Sequence, residues 1–363
     1  MIKINDLHVI YGKEPLAMIK ALLAKIELEK GLTAEMLIGL KPNLVVAKPA
    51  ENGATTSPLL VEGIIQYLQE KGFNNIVILE SSWVGESTKR AFKVCGYQDI
   101  STKYNVPLID LKEDSYRTIK EGELALDICL KALEVDYLIN IPVLKAHSQT
   151  RFTCALKNLK GCIPDREKRR FHTLGLNRPI AYLAKALPVN LVVVDAINGD
   201  LSFEEGGSPV AMNRIIVGKD PVLVDTYGAG LLGYSRNEIE YIEDAVKLGV
   251  GSGELASARI FEYNTGEKSG TVFKPGRQVR RLASCVVAKA ACSACYGSLI
   301  HALQRLDQIG KFAQIEQLFI GQGFKKEERD GIGIGSCTAG FSSFIPGCPP
   351  SAHQIVEFLR NML

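Results

Sequence analysis

The chain has 363 residues, 46% of them apolar and 23% charged, an ordinary balance for a globular protein with room for two domains. A net charge of +3 gives nucleic acid no support as a partner, and no apolar run approaches the ~20 residues of a membrane-spanning helix. Nine cysteines, an odd number, follow a start (MIKINDLHVIYGKEP) that lacks a signal-peptide core, so a disulfide framework is not expected and a cytoplasmic location is.

In chain order, MLIGLKPNLVV (36–46), NNIVILESS (74–82), VDYLINIPVL (135–144) and NLVVVDAI (190–197) read as buried strands. Their near-continuous hydrophobicity predicts a mainly parallel sheet covered on both faces. Between the first two, SPLLVEGIIQYLQEKG (57–72) places Leu60, Ile64, Ile65 and Leu68 on one helical stripe. Ser57-Pro58 starts that helix, with Ser57 or Thr56 as a candidate cap, and Gly72 stops it. ESTKRAFKVCG (86–96), DPVLVDTYGAGLLG (220–233) and RNEIEYIEDAVKLG (236–249) are further helices. Alternation of strand and helix means α/β. Around 250–280 the chain turns rich in Gly, Ser and charge. The expected domains are therefore 1–255, α/β, and 256–363, a smaller cysteine-rich region packed on it. That region shows one clear helix, YGSLIHALQRLDQIG (296–310), and otherwise reads as irregular loop.

Four cysteines of this tail carry the strongest chemical signal. Two residues separate Cys292 from Cys295, 41 separate Cys295 from Cys337, and ten separate Cys337 from Cys348. A close pair can clasp one centre from a single turn, and two thiolates from a distant loop can close it. Four thiolates suit a [4Fe-4S] cluster or a tetrahedral zinc ion. The flanks, GIGIGSC and PGCPP, favour the cluster, because glycine lets backbone approach a bulky core and Pro after a ligand Cys recurs in iron–sulfur runs. Cys285 is the rival ligand. Cys95, Cys129, Cys154 and Cys162 read as core thiols.

Ile141 to Arg178 holds nine Lys and Arg against two acids. Arg166 to Arg170 read as a solvated basic face. Lys145 and His147 follow an apolar strand, and ligands of parallel sheets bind at the carboxyl ends of strands. Lys157 and Asn158 fall on a following helix. The candidate catalytic residues are Lys145, His147 and His172, the histidines as proton movers near neutral pH. The candidate substrate-binding residues are Lys41, Asn43, Lys157, Asn158 and Asp195. Lys41 lies inside an apolar run and so needs either an ion pair or a site. The Gly-rich pieces GVGSGE and GIGIGSC give no support to a nicotinamide cofactor.

KPNLV (41–45), IPVLKAH (141–147), TCALKNLKGCIPD (153–165) and VVDAINGD (193–200) resemble the domain of unknown function 362 family over residues 35–250. The tail resembles the variant of that family with a C-terminal iron–sulfur region, although its wide cysteine spacing departs from a compact ferredoxin-like run. The α/β part is distantly similar to lactate-racemase-type proteins. The resemblance implies an iron–sulfur redox protein without naming its reaction. The expected function is an oxidoreductase passing electrons between a [4Fe-4S] cluster and a small anionic substrate in a Lys/His pocket. A non-redox lyase, isomerase or racemase with a structural cluster is the alternative, and a simple electron carrier is the third. A ferredoxin-type electron donor and a homodimer are the partners this reading leaves room for.

Overall fold

The apolar runs become strands, and their hydrophobicity is used as expected. The computed structural model describes residues 2–270, 272–273 and 278–363. Its contacts divide into a larger unit (residues 1–82, 86–167 and 177–275) and a smaller one (83–85, 168–176 and 276–363).

Among the described residues, twelve strands belong to the larger unit. They are β1 (Asp6–Tyr11), β2 (Ile38–Pro42), β3 (Ile76–Glu80), β4 (Leu108–Asp110), β5 (Tyr116–Glu121), β6 (Leu124–Cys129), β7 (Tyr137–Ile141), β8 (Lys145–His147), β9 (Arg151–Thr153), β10 (Leu191–Asp200), β11 (Pro209–Gly218) and β12 (Arg259–Tyr263). Eight form one sheet in the order β12-β1-β11-β10-β7-β2-β3-β4. Only β11, against β1 and β10, pairs antiparallel; the other neighbours are parallel. β5–β6 and β8–β9 are separate antiparallel pairs. The α/β expectation with a mainly parallel sheet holds. β12 pairs with β1 and lies in the larger unit.

The helix Pro58–Glu70 buries Leu60, Val61, Ile64, Ile65 and Leu68 in the core beside β2 and β7. Gly63 lets it approach the helix Pro15–Ile26: a Cβ there would stand 2.5 Å from Ile19 and 2.8 Å from the Leu16 carbonyl. Ser57 makes no side-chain cap bond. Its backbone N–H instead donates to Asp195 Oδ2 at 2.7 Å, so a β10 carboxylate anchors the helix start.

The smaller unit contains more regular structure than its sequence announces. β13 (Val286–Ala288), β14 (Leu318–Ile320), β15 (Arg329–Ile334) and β16 (Phe341–Ile345) form a parallel sheet in that order. Two of these strands have three residues each, too few to display a period of two. Phe324 packs edge to face against Phe319 of β14 and Phe341 of β16. The helix Ser293–Gln308 buries Leu299, Leu303 and Leu306, and a second helix, Ala352–Arg360, starts from a Ser351/Gln354 capping box.

Candidate functional site

In the larger unit the carboxyl ends of β2, β3, β7 and β10 carry a buried polar layer. Register places Lys41 of β2 beside Asn140 of β7. Lys41 pairs with Glu80 at 2.8 Å, both buried, and donates to the Pro42 carbonyl. The ion pair leaves no space above it: a Cβ on Gly161 would stand 2.1 Å from Glu80 Oε1 and 2.5 Å from Lys41 Nζ. Asn158 donates to the Lys41 and Pro42 carbonyls and to Asn140 Oδ1. Asp195 accepts the backbone N–H groups of Ser57 and Ile197, and burial pushes its carboxyl up to about 6. In this arrangement Lys41, Asn158 and Asp195 tie segments together.

Lys145, His147 and Lys157 converge on a residue the sequence reading omitted, Glu204. Lys157 Nζ donates to its Oε1 and His147 Nε2 meets its Oε2, each at 2.7 Å. Lys145 Nζ donates to the Glu204 carbonyl at 2.9 Å, the Ala54 carbonyl at 2.6 Å and Asn43 Oδ1 at 3.4 Å. All four of these charged or titratable residues are buried. Burial alone would push the Glu204 carboxyl up, but His147 and Lys157 outweigh it and hold the group well below the usual carboxylate range. Burial lowers the Lys157 ammonium, brings Lys145 down to about 8, and brings His147 down to about 4 despite Glu204.

The hydrogen bonds fix the tautomer of His147. Its Nδ1 accepts the backbone N–H groups of Gln149 (3.1 Å) and Thr150 (3.0 Å). The proton therefore sits on Nε2, facing Glu204. Proton transfer through this ring near neutral pH requires the Glu204 contact to open. Two further carboxylates set the frame. Asp225 accepts the N–H groups of Ala155 and Leu156 and so fixes the short helix Ala155–Asn158 that carries Lys157. Asp200 accepts from Ser202, Phe203 and Ser208 and so closes the loop that carries Glu204. A buried cluster of basic groups must have a counter-charge; that requirement, with the acids of FEEGG after β10, is the signal that could have found Glu204.

His172 belongs to the smaller unit, where Ser293 donates its N–H to His172 Nε2 at 3.4 Å. In this unit Cys292, Cys295, Cys337 and Cys348 line one cavity of about 240 Å³, together with Arg169, Gln322 and Lys325. Cys292 is the N-cap of the helix Ser293–Gln308, and Cys295 lies in its first turn. Gln322 Nε2 donates to the Arg169 carbonyl (2.9 Å) and to Cys292 Sγ (3.5 Å). Burial pushes the Cys295 thiol up to about 12, and Cys292, Cys348 and Cys337 add to the shift. Cys285, directed to the Leu282 carbonyl, is not among the described residues lining this cavity. Arg166 stays exposed beside Asp127, as a solvated face requires, but Arg169 turns to the cysteines. Among the described residues no three His, Cys, Asp or Glu side chains close on a single-ion position.

The family described as domain of unknown function (DUF362) matches residues 38–230, more than half of the chain. The chain belongs to the DUF362 family. Its matched stretch contains Lys41, Lys145, His147, Lys157 and Glu204; the four cavity cysteines lie beyond it. A thylakoid-associated protein of Synechocystis sp. is 27% identical over 177 residues, which is 47% of this chain and 53% of the relative. This DUF362 chain thus spans about half of that relative's length. Among solved structures, the lactate racemase apoprotein of Thermoanaerobacterium thermosaccharolyticum aligns with a TM-score of 0.37 and 15% identity, covering 58% of this chain and 53% of that one. A Thermotoga maritima protein aligns with a TM-score of 0.35 and 14% identity, covering 51% of each. Likeness at this level carries nothing about chemistry. Among the described residues no helix is long and apolar enough to cross a membrane.

Two predictions follow from the Glu204 cluster. Lys157→Met strands a buried carboxylate with one partner fewer and should cost about 3–5 kcal/mol in urea unfolding. The double variant Lys157→Met/Glu204→Gln should regain most of that loss; a double variant no more stable than the single would contradict the pairing. The second concerns pH. The folded-state value of His147, about 4, lies below the ordinary ~6.5, so the unfolded chain takes up the proton first as pH falls. Its stabilisation is complete above about pH 6.5 and is lost as pH falls through about 4. The unfolding free energy from urea titrations should decline over that window by at most about 1.4 kcal/mol per pH unit from this group, and less steeply in His147→Asn. Equal slopes in the two proteins would show that His147 does not set the decline.

Proposed function

We propose that this chain is an iron–sulfur oxidoreductase, holding a [4Fe-4S] cluster on Cys292, Cys295, Cys337 and Cys348 and a small anion at Lys145, His147 and Lys157. One observation carries the reading: four thiols from three separate stretches of chain line a single cavity. Thiols ranged around a cavity support a polynuclear cluster over a lone zinc ion, whose ligands stand about 2.0–2.3 Å from one centre. Burial raises the Cys295 thiol and the neighbouring cysteines add to the shift; a cationic metal core removes that penalty by taking thiolates as ligands.

When bound, such a cluster supplies one-electron oxidation and reduction. The chain's own residues do the rest. Cys292 and Cys295 stand at the positive end of the helix Ser293–Gln308, which favours thiolate. Gln322 donates to Cys292 Sγ, a bond that tunes a metal site from outside its ligands. Exposed Cys348 gives a ferredoxin-type electron donor a surface to approach. Lys157 supplies positive charge to an anion, and Lys145 holds the backbone of the Glu204 loop.

A second reading is supported by one feature. Lys145, lowered to about 8 by burial, falls in the range of lysines used as general bases, as a non-redox isomerase or racemase would require.

Metal analysis separates these readings from zinc binding. Protein purified without oxygen should contain about four iron and four sulfide per chain. Cys348→Ser should lower both, and Cys285→Ser should leave both unchanged. One zinc per chain with no iron would overturn the proposal.

A further inference from the structure

We infer that the Glu204 carboxylate is an internal occupant of a carboxylate-binding site, and that a small carboxylate ligand takes its place by displacing the loop 201–208. The inference rests on reading Lys145, His147 and Lys157 as an anion site, and it names the class of anion. A planar carboxylate already sits there with one oxygen on Lys157 Nζ and the other on His147 Nε2, both at 2.7 Å. Two donors aimed at the two oxygens of one carboxylate make a bidentate site. Both are buried, so the site is built before any ligand arrives.

The occupant is attached in a way that permits exchange. The loop contains no strand or helix; polar contacts hold it, and Leu201 and Phe203 bury their side chains. Asp200 accepts the N–H groups of Ser202, Phe203 and Ser208 at 2.7 Å each. Lys145 and Lys48 hold the carbonyls of Glu204 and Glu205 at 2.9 and 2.8 Å. Immediately after Glu205 come Gly206 and Gly207, at φ of +76° and +130°. Two successive glycines in this region take backbone conformations that other residues would strain. When the loop moves, Lys157 and His147 keep their positions. Lys157 is on a helix fixed by Asp225, and His147 Nδ1 remains tied to the backbone of Gln149 and Thr150. A ligand carboxylate entering this place meets the same two donors and satisfies the cations that Glu204 leaves.

An internal competitor lowers apparent affinity by the fraction of time the site is open. Removing its charge should therefore expose the site's intrinsic affinity. The test is thermal unfolding and calorimetric titration of the whole chain with sodium malonate or inorganic phosphate, with iron content measured in parallel. Glu204→Gln should bind malonate at least about tenfold more tightly than the unsubstituted protein, and more tightly than phosphate. A folded Glu204→Gln that responds to malonate no better than the unsubstituted protein overturns the inference and makes Glu204 a fixed counter-charge. Stronger binding of phosphate than malonate overturns the carboxylate assignment. If Glu204→Gln does not fold, hydrogen exchange of the unsubstituted protein decides. Saturating malonate should speed exchange of the Ser202, Phe203 and Ser208 amides, and unchanged exchange sinks the inference. Loss of iron from otherwise folded protein would bear on the cluster reading alone.

Discussion

Burying positive charge at the end of a parallel sheet requires a buried negative charge to meet it, and the larger unit is arranged around that requirement. Glu204 answers Lys157 and accepts from the neutral His147 ring; Glu80 answers Lys41. Each acid or base is placed by a further polar group: Asp200 for the Glu204 loop, Asp225 for the helix carrying Lys157, Asn158 for the backbone at Lys41. Such a network is strong when every member is satisfied and costly when one is not. It also explains the glycines. Gly161 leaves room for the Lys41–Glu80 pair, and Gly199 lets β10 pass the Leu144 carbonyl, which a Cβ would meet at 2.0 Å.

The smaller unit obeys a different constraint. Four thiols brought around one cavity have no counter-charge of their own beyond Arg169 and Lys325 among the lining residues. Burial raises the Cys295 thiol above its ordinary value, and the neighbouring cysteines add to the shift. Its short parallel strands and its phenylalanine cluster give it a modest core. Metal binding and folding are expected to be linked in such a segment.

Much of the fold was legible because long apolar runs and a clean helical stripe have few alternative readings. The runs that became β2, β3, β7 and β10 are continuous, and Pro58 and Gly72 bracket the first central helix. β12 was hidden because its residues are largely exposed, and β13 and β14 because three residues show no periodicity. The cysteine set was legible from spacing alone. Arg169 and Gln322 were not, since they reach the cavity from segments 153 residues apart. Lys145, His147 and Lys157 were legible from their place after an apolar strand. Glu204 was not, because it lies 47 residues from Lys157 and pairs only through the fold. The Ser293 N–H donated to His172 was not legible either, because 121 residues separate the two.

The claim on which the functional account stands is that the four cavity cysteines hold one redox-active cluster. Electron paramagnetic resonance of anaerobically purified protein, reduced with dithionite, tests it most directly. The account predicts a spin-half signal integrating to about one per chain, as one reduced [4Fe-4S] centre gives, and its disappearance in Cys295→Ser. A protein that stays silent after reduction while carrying a full complement of zinc would contradict it.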